Sequence, residues 1–197
     1  MSLSHPKSVL ITGASSGLGR ALALAYAGHG TAIYLSGRDQ GRLDAVAEDC
    51  RQRGATAEGR TIDVTDADAM AVWIKEADEK MPLDLVIANA GITNSTSGLA
   101  DGPERTRRIL AVNVDGVVNT VLPALAAMDA RNKGQIALIA SIAGFRGLPT
   151  SSAYSASKAM VKAWGEGLRG ERLKTGVRIN VVCPGWVESR ITDANKF

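Results

Sequence analysis

Cysteine and histidine are nearly missing from this chain, with two of each among 197 residues. Cys50 and Cys183 follow no metal or redox spacing, so a disulfide framework or thiolate metal centre is not expected and both read as free thiols. His5 falls in the N-terminal tail and His29 in a glycine-flanked turn, so no metal ligand set forms around them. Aromatics make up only 4%, and none interleave with the basic residues Arg105, Arg107 and Arg108, which therefore read as a solvated helix face and not as a nucleic-acid surface. Charge of one sign is also scarce: 23 basic against 20 acidic residues leave a formal charge of +3, too little to imply an acidic partner. No apolar stretch approaches the ~20 residues of a membrane span, and the first strand-like run begins at Ser8, leaving no room for a signal peptide. A soluble, cytoplasmic protein with one globular domain is the expectation.

What the sequence does contain is a regular alternation. Six short β-rich runs, at 8–12, 32–36, 58–64, 83–88, 135–141 and 177–183, alternate with helical patterns near 17–28, 40–53, 66–80, 103–130 and 152–174. Several of the runs are almost continuously apolar, as strands are when helices cover both faces of a parallel sheet. That predicts a three-layer α/β fold with a Rossmann-type, doubly wound parallel sheet. Ligands of such sheets bind beyond the carboxyl ends of the strands, so the residues after each run carry the functional argument.

The first run leads into TGASSGLGRALALAYA, which puts Gly13, Gly17 and Gly19 at a strand-to-helix turn. Glycines there let the backbone approach a pyrophosphate while the helix N-terminus faces its charge. At the end of the second run, an acidic residue would bond ribose hydroxyls and repel a 2′-phosphate. The segment instead reads LSGRDQ, with uncharged Ser36 and Gly37 followed by Arg38, whose fork of donors suits a phosphate. NADP(H) is therefore expected in preference to NAD(H). The alternative leaves Arg38 a solvated loop residue and makes Asp39 a helix cap or a ribose ligand.

The spacing of the three glycines, G-x-x-x-G-x-G, resembles the classical branch of the short-chain dehydrogenase/reductase family. Further motifs of that family follow in order along nearly the whole chain: Asp63-Val64, Asn89-Ala90-Gly91, VNVDG from Val112, Ser141, Tyr154 with Lys158, and Pro184-Gly185. The resemblance implies that Gly13, Ser15, Ser16, Gly17, Leu18 and Gly19 hold the cofactor, that Asp63 and Val64 flank its adenine, and that Asn89, Ala90 and Gly91 lie along it. It also implies that Pro184 and Gly185 turn beneath the nicotinamide and that the backbone of Val187 meets its carboxamide. Ser189 stands where the family usually has threonine.

Tyr154 and Lys158 are four residues apart in SSAYSASKAM, hence on one helix face. Ionising a tyrosine near neutral pH takes roughly three pKa units, about 4 kcal/mol. An ammonium at ~5 Å in an effective dielectric of ~20 supplies about 3 kcal/mol. By resemblance, Tyr154 exchanges a proton with a carbonyl or alcohol oxygen, Lys158 lowers its pKa and bonds the nicotinamide ribose, Ser141 holds the substrate oxygen, and Asn113 holds a water on a relay through the lysine. Taken alone, Asn113 is a poor helix former inside a long helix, and it could equally bond a neighbouring helix.

Candidate substrate-pocket residues are Thr93, Ser141, Ala143, Phe145, Arg146, Tyr154, Trp186 and Glu188, with Phe145 and Trp186 favouring an apolar ketone or secondary alcohol. The expected function is NADP(H)-dependent interconversion of a small-molecule ketone or aldehyde with its alcohol. The alternatives are a dinucleotide-binding regulatory protein with an idle site, and an epimerase or dehydratase. The resemblance further implies a homodimer or homotetramer built through the helices near 103–130 and 152–174. It also implies a substrate-covering segment and a last strand beyond Phe197, so a C-terminal part is expected to be missing.

Overall fold

The computed structural model describes residues 5–93 and 102–187. Six strands form one parallel sheet: β1 Ser8–Thr12, β2 Ala32–Gly37, β3 Thr56–Thr61, β4 Leu85–Ala88, β5 Gly134–Ile139 and β6 Val177–Val182. Their order across the sheet is β3-β2-β1-β4-β5-β6, so the chain winds outward from β1 in one direction and then returns to wind outward in the other. The helices are α1 Gly17–Tyr26, α2 Gln40–Gln52, α3 Ala67–Lys80, α4 Pro103–Leu110, α5 Gly116–Ala130 and α6 Ser152–Glu171.

Every residue of β1, β2 and β4 is buried, which explains why these runs are apolar without alternation. Successive side chains still point to opposite faces and build two cores. Leu10, Tyr34, Val86 and Ile136 pack with Met70 and Trp73 of α3, Val121 of α5 and Val161 of α6. Val9, Ile11, Ile33 and Leu35 pack with Ala23 of α1 and Leu43, Val46 and Cys50 of α2.

Three expectations change. β3 begins at Thr56 and stops at Thr61, where the sequence pointed to 58–64. Ile62 N–H still bonds the Gly37 carbonyl at 2.9 Å, but Asp63 then accepts from the backbone of Thr65 and Asp66, and this turn ends the strand. The 103–130 helix is not α-helical throughout: Ala111–Asp115 form a π-helical turn between α4 and α5. That helix also contains an 18-residue window of mean hydropathy 1.6, which meets a membrane span's length and composition. Half of the window is buried inside the protein, and Val117, Val121, Leu125 and Met128 belong to the core shared with α3 and the sheet.

Candidate active site

The winding reverses between β1 and β4, which leaves a crevice beyond their carboxyl ends. A cleft of about 620 Å³ opens there, and residues that follow every strand line it.

At its middle, the turn after β1 carries Gly13, Ser15, Ser16, Gly17, Leu18 and Gly19. Gly13 has φ +67°, and a Cβ on it would sit 2.8 Å from Ala90 Cα. A Cβ on Gly19 would overlap the Gly13 carbonyl oxygen. The turn therefore presents bare backbone. Ser16 stands at the N-cap of α1 without a side-chain capping bond, so that helix end keeps donors for an anion. Asn89 ties β4 to the same turn, its Nδ2 donating to Thr12 O at 2.9 Å, while the backbone N–H groups of Asn89 and Ala90 donate to Thr12 Oγ1. Asn89, Ala90 and Gly91 line the cleft as expected.

Toward β2 and β3 the walls are Gly37, Arg38, Asp39, Arg42, Ile62, Asp63 and Val64. Asp39 settles as a helix cap: its Oδ1 accepts from Arg42 N at 3.0 Å and its Oδ2 pairs with the Arg42 guanidinium at 2.6 Å. The backbone and side-chain bonds from Arg42 hold the Asp39 carboxyl below the usual carboxylate range. Arg38 is exposed in the cleft wall and has no ion-pair partner among the described residues. Burial works against ionisation of Asp63, yet the Arg108 bond and two bonds from Thr65 hold it at about 2. Arg42 was missed in the sequence, although it lies four residues after Arg38. The solvated face expected for Arg105, Arg107 and Arg108 holds for Arg107 alone: Arg105 turns in to the Thr93 carbonyl, and Arg108 pairs with Asp63, 45 positions away, which no sequence spacing reveals.

Toward β5 and β6 the cleft meets Ser141, Tyr154, Lys158, Pro184, Gly185 and Val187. Ser141 follows β5, is 8% exposed, and caps the 3-10 turn Ile142–Gly144 by accepting from Ala143 N. Its side chain also acts on Tyr154, whose pKa it lowers. Lys158 is 4% exposed and donates from Nζ to the Ile139 carbonyl at 2.9 Å, with Nζ 5.8 Å from the Tyr154 ring centre. Burial lowers the Lys158 pKa to about 8, with Cys183 opposing.

The expected lowering of Tyr154 by Lys158 is not found in the protein alone. Burial raises the tyrosine, and only Ser141 opposes it. The ammonium is itself desolvated and its bond is directed at a strand carbonyl, which leaves burial in control.

Asn113 is fully buried in the π-helical turn and is not part of the cleft wall. Its Oδ1 accepts from Ile92 N at 2.8 Å, and its Nδ2 donates to Ile92 O at 2.9 Å and to Ser157 Oγ at 3.0 Å. Both amide protons are thus used, and the residue rivets the loop after β4 to α6. A Cβ on Gly91 would lie 3.3 Å from Asn113 Oδ1 and 3.4 Å from Lys158 Nζ, so Gly91 passes close to both. Ser157 is buried between Asn113 and the Tyr154 carbonyl, to which it donates at 2.7 Å.

The substrate candidates divide. Ala143 is buried in the 3-10 turn, whereas Ile142, Phe145 and Trp186 are 58%, 66% and 61% exposed; none of them walls the cleft. The loop after β6 joins this turn through Ile142 N and Pro184 O at 3.0 Å. Arg146 is exposed, and the Thr93 carbonyl accepts from Arg105. Glu188 and Ser189 lie outside the described residues.

An open helix N-terminus, a glycine-rich turn and paired apolar and cationic walls in one long cleft fit a dinucleotide. Comparison with known proteins agrees. The family model for short chain dehydrogenase matches residues 7–196. An uncharacterized oxidoreductase of Myxococcus xanthus is 42% identical over 192 residues, covering 97% of this chain and 76% of that protein. A short-chain dehydrogenase/reductase of Burkholderia phymatum in complex with NAD superposes with a TM-score of 0.88 at 30% identity, over 95% of this chain and 68% of that one. A variant of actinorhodin polyketide ketoreductase with NADPH gives 0.85 at 32% identity, over 94% and 72%. With its sheet order, its cleft and these relatives in agreement, the chain belongs to the classical short-chain dehydrogenase/reductase family of NAD(P)-dependent oxidoreductases.

Proposed function

We propose that the protein is an NADP(H)-dependent carbonyl reductase or alcohol dehydrogenase in which Tyr154 is the general acid and base. The observation that carries this reading is the trio at one end of the cleft: half-buried Tyr154, buried Ser141 after β5, and buried Lys158 on the same helix face as the tyrosine. The nicotinamide supplies or takes the hydride when bound. Ser141 donates to the substrate oxygen and fixes it beside the phenol. Tyr154 gives its proton to that oxygen in reduction and takes it back in oxidation. A phenol raised by burial is fully protonated near neutral pH, the form that reduction consumes. Lys158 places a cation beside the phenol that favours its ionised form, and Asn113 fixes the loop after β4 against the helix that carries both residues.

The NADP(H) preference is supported by Arg38 in the wall after β2 and by Asp39, whose carboxylate is already engaged by Arg42. The structural neighbours include both an NAD complex and an NADPH complex, so charge in this wall is the better guide. Ile142, Phe145 and Trp186, exposed around the turn that follows Ser141, favour a carbonyl compound with an apolar substituent. Leu110 and Leu122, exposed along the 103–130 helix, are side chains that a homodimer or homotetramer interface would cover, and sizing chromatography tests this.

The functional test follows reduced-nicotinamide absorbance with a panel of ketones. Tyr154→Phe should lose about 10²–10⁴-fold in turnover while still binding NADPH, and unchanged turnover sinks the assignment. Arg38→Ala should weaken NADPH and leave NADH binding unchanged; a preserved preference overturns the cofactor assignment.

A further inference from the structure

In the sheet order β3-β2-β1-β4, a dinucleotide that places its phosphates on the turn after β1 and its ribose at the end of β2 reaches its outermost base at the end of β3. Three apolar cleft residues stand there, Ile62, Val64 and Val112, each 5–6% exposed, and Asp63 supplies the one carboxylate beside them. A carboxylate has about four acceptor sites. On Oδ1, two are taken by Thr65 N at 3.0 Å and Thr65 Oγ1 at 2.8 Å. On Oδ2, one is taken by Arg108 Nη2 at 2.5 Å. The remaining site is therefore on the oxygen that Arg108 holds. Its direction is set by a residue of α4, from outside the cofactor's own walls.

We propose that Arg108 is a positioning residue for the cofactor's base: it aims the free acceptor of Asp63 into the cleft, where it selects an exocyclic amino group, as adenine has, over a ring carbonyl. The inference rests on the dinucleotide reading of the cleft. The long helix that carries Arg108 is braced against the same wall at two more points. Asn119 Nδ2 donates to Val64 O at 3.0 Å, and a Cβ on Gly116 would overlap a Val64 methyl. Asp63 and Val64 are thus fixed from one side by a single continuous helix.

The test compares binding of NADPH with that of its hypoxanthine analogue, in which the amino group is replaced by a carbonyl, using nucleotide fluorescence. Wild-type protein should prefer NADPH by about tenfold, the size expected for a bond to a charged acceptor set against a repelled carbonyl. Arg108→Gln should reduce the preference to about twofold or less, and Arg108→Lys should retain most of it. Asp63→Asn, whose amide can donate, should abolish or invert it. An Arg108→Gln protein that keeps the wild-type ratio overturns the proposal even if both affinities fall, because a merely structural role lowers both together. A wild-type protein that binds both nucleotides equally overturns it too. If neither nucleotide binds wild-type protein, the dinucleotide reading falls and takes the inference with it.

Discussion

Lys158→Met should make the protein more stable while abolishing turnover. The lysine is 4% exposed, and burial brings its pKa from 10.5 to about 8. In the unfolded chain the group binds its proton up to its ordinary pKa, so between pH 8 and 10.5 the unfolded state holds more protons and stability rises with pH. The ionisation penalty on the folded state is therefore full below pH 8 and relieved above it. With 1.36 kcal/mol per unit, it amounts to about 3 kcal/mol near pH 7 and about half that near pH 9.5. Methionine fills similar volume but loses the bond to the Ile139 carbonyl, worth about 1 kcal/mol. A net gain of about 2 kcal/mol near pH 7 should shrink to less than about 1 kcal/mol near pH 9.5. Urea unfolding of both proteins at the two pH values, with m unchanged, measures it. A variant that is less stable near pH 7, or a difference that does not shrink with pH, refutes the claim that a buried ammonium burdens the fold.

Two further outcomes follow from the packing around the site. Asn113→Ala strips the half-buried Ile92 N–H and carbonyl and the buried Ser157 hydroxyl of their partner, and should lower the urea-derived stability by about 2–4 kcal/mol. An unfolding midpoint equal to wild type would show that this rivet is dispensable. Gly116→Ala forces a methyl into Val64, 3.0 Å from its Cβ, and should cost about 1–3 kcal/mol in a melt despite alanine's better helix propensity. Weaker NADPH binding should accompany that loss, since Val64 walls the cleft. A fully stable, tightly binding variant contradicts the close approach.

Most of the fold was legible because its strands are apolar and its helices amphipathic. β1 was predicted to the residue, and all five helical stretches begin within one position of where the glycine, capping or apolar pattern placed them. β3 was shifted because it is an edge strand with exposed ends, Thr56 and Thr61, and the apolar Ile62 and Val64 belong instead to the cleft wall beyond it. The π-helical turn was invisible, since widening one helical turn barely alters an apolar stripe; only the polar Asn113 inside it hinted at something unusual. Ser141, Tyr154 and Lys158 were found by type and order. Their relative pKa values were not, because the penalty of burial depends on neighbours that no spacing reveals. Arg108 and Ser157 escaped for the same reason: each acquires its meaning from a partner on another element.

The groups that hold this site in shape share a habit. Lys158 leans on the carbonyl of Ile139, Asn113 on the N–H and carbonyl of Ile92, and Asn89 on the carbonyl of Thr12. Every residue except proline offers the same amide and carbonyl. Substitutions at 92 and 139 can therefore exchange one apolar side chain for another of similar size without removing a single anchor. The same architecture can be kept while its surroundings drift in sequence, and the pocket can be refitted for new substrates with its proton-handling residues left in place.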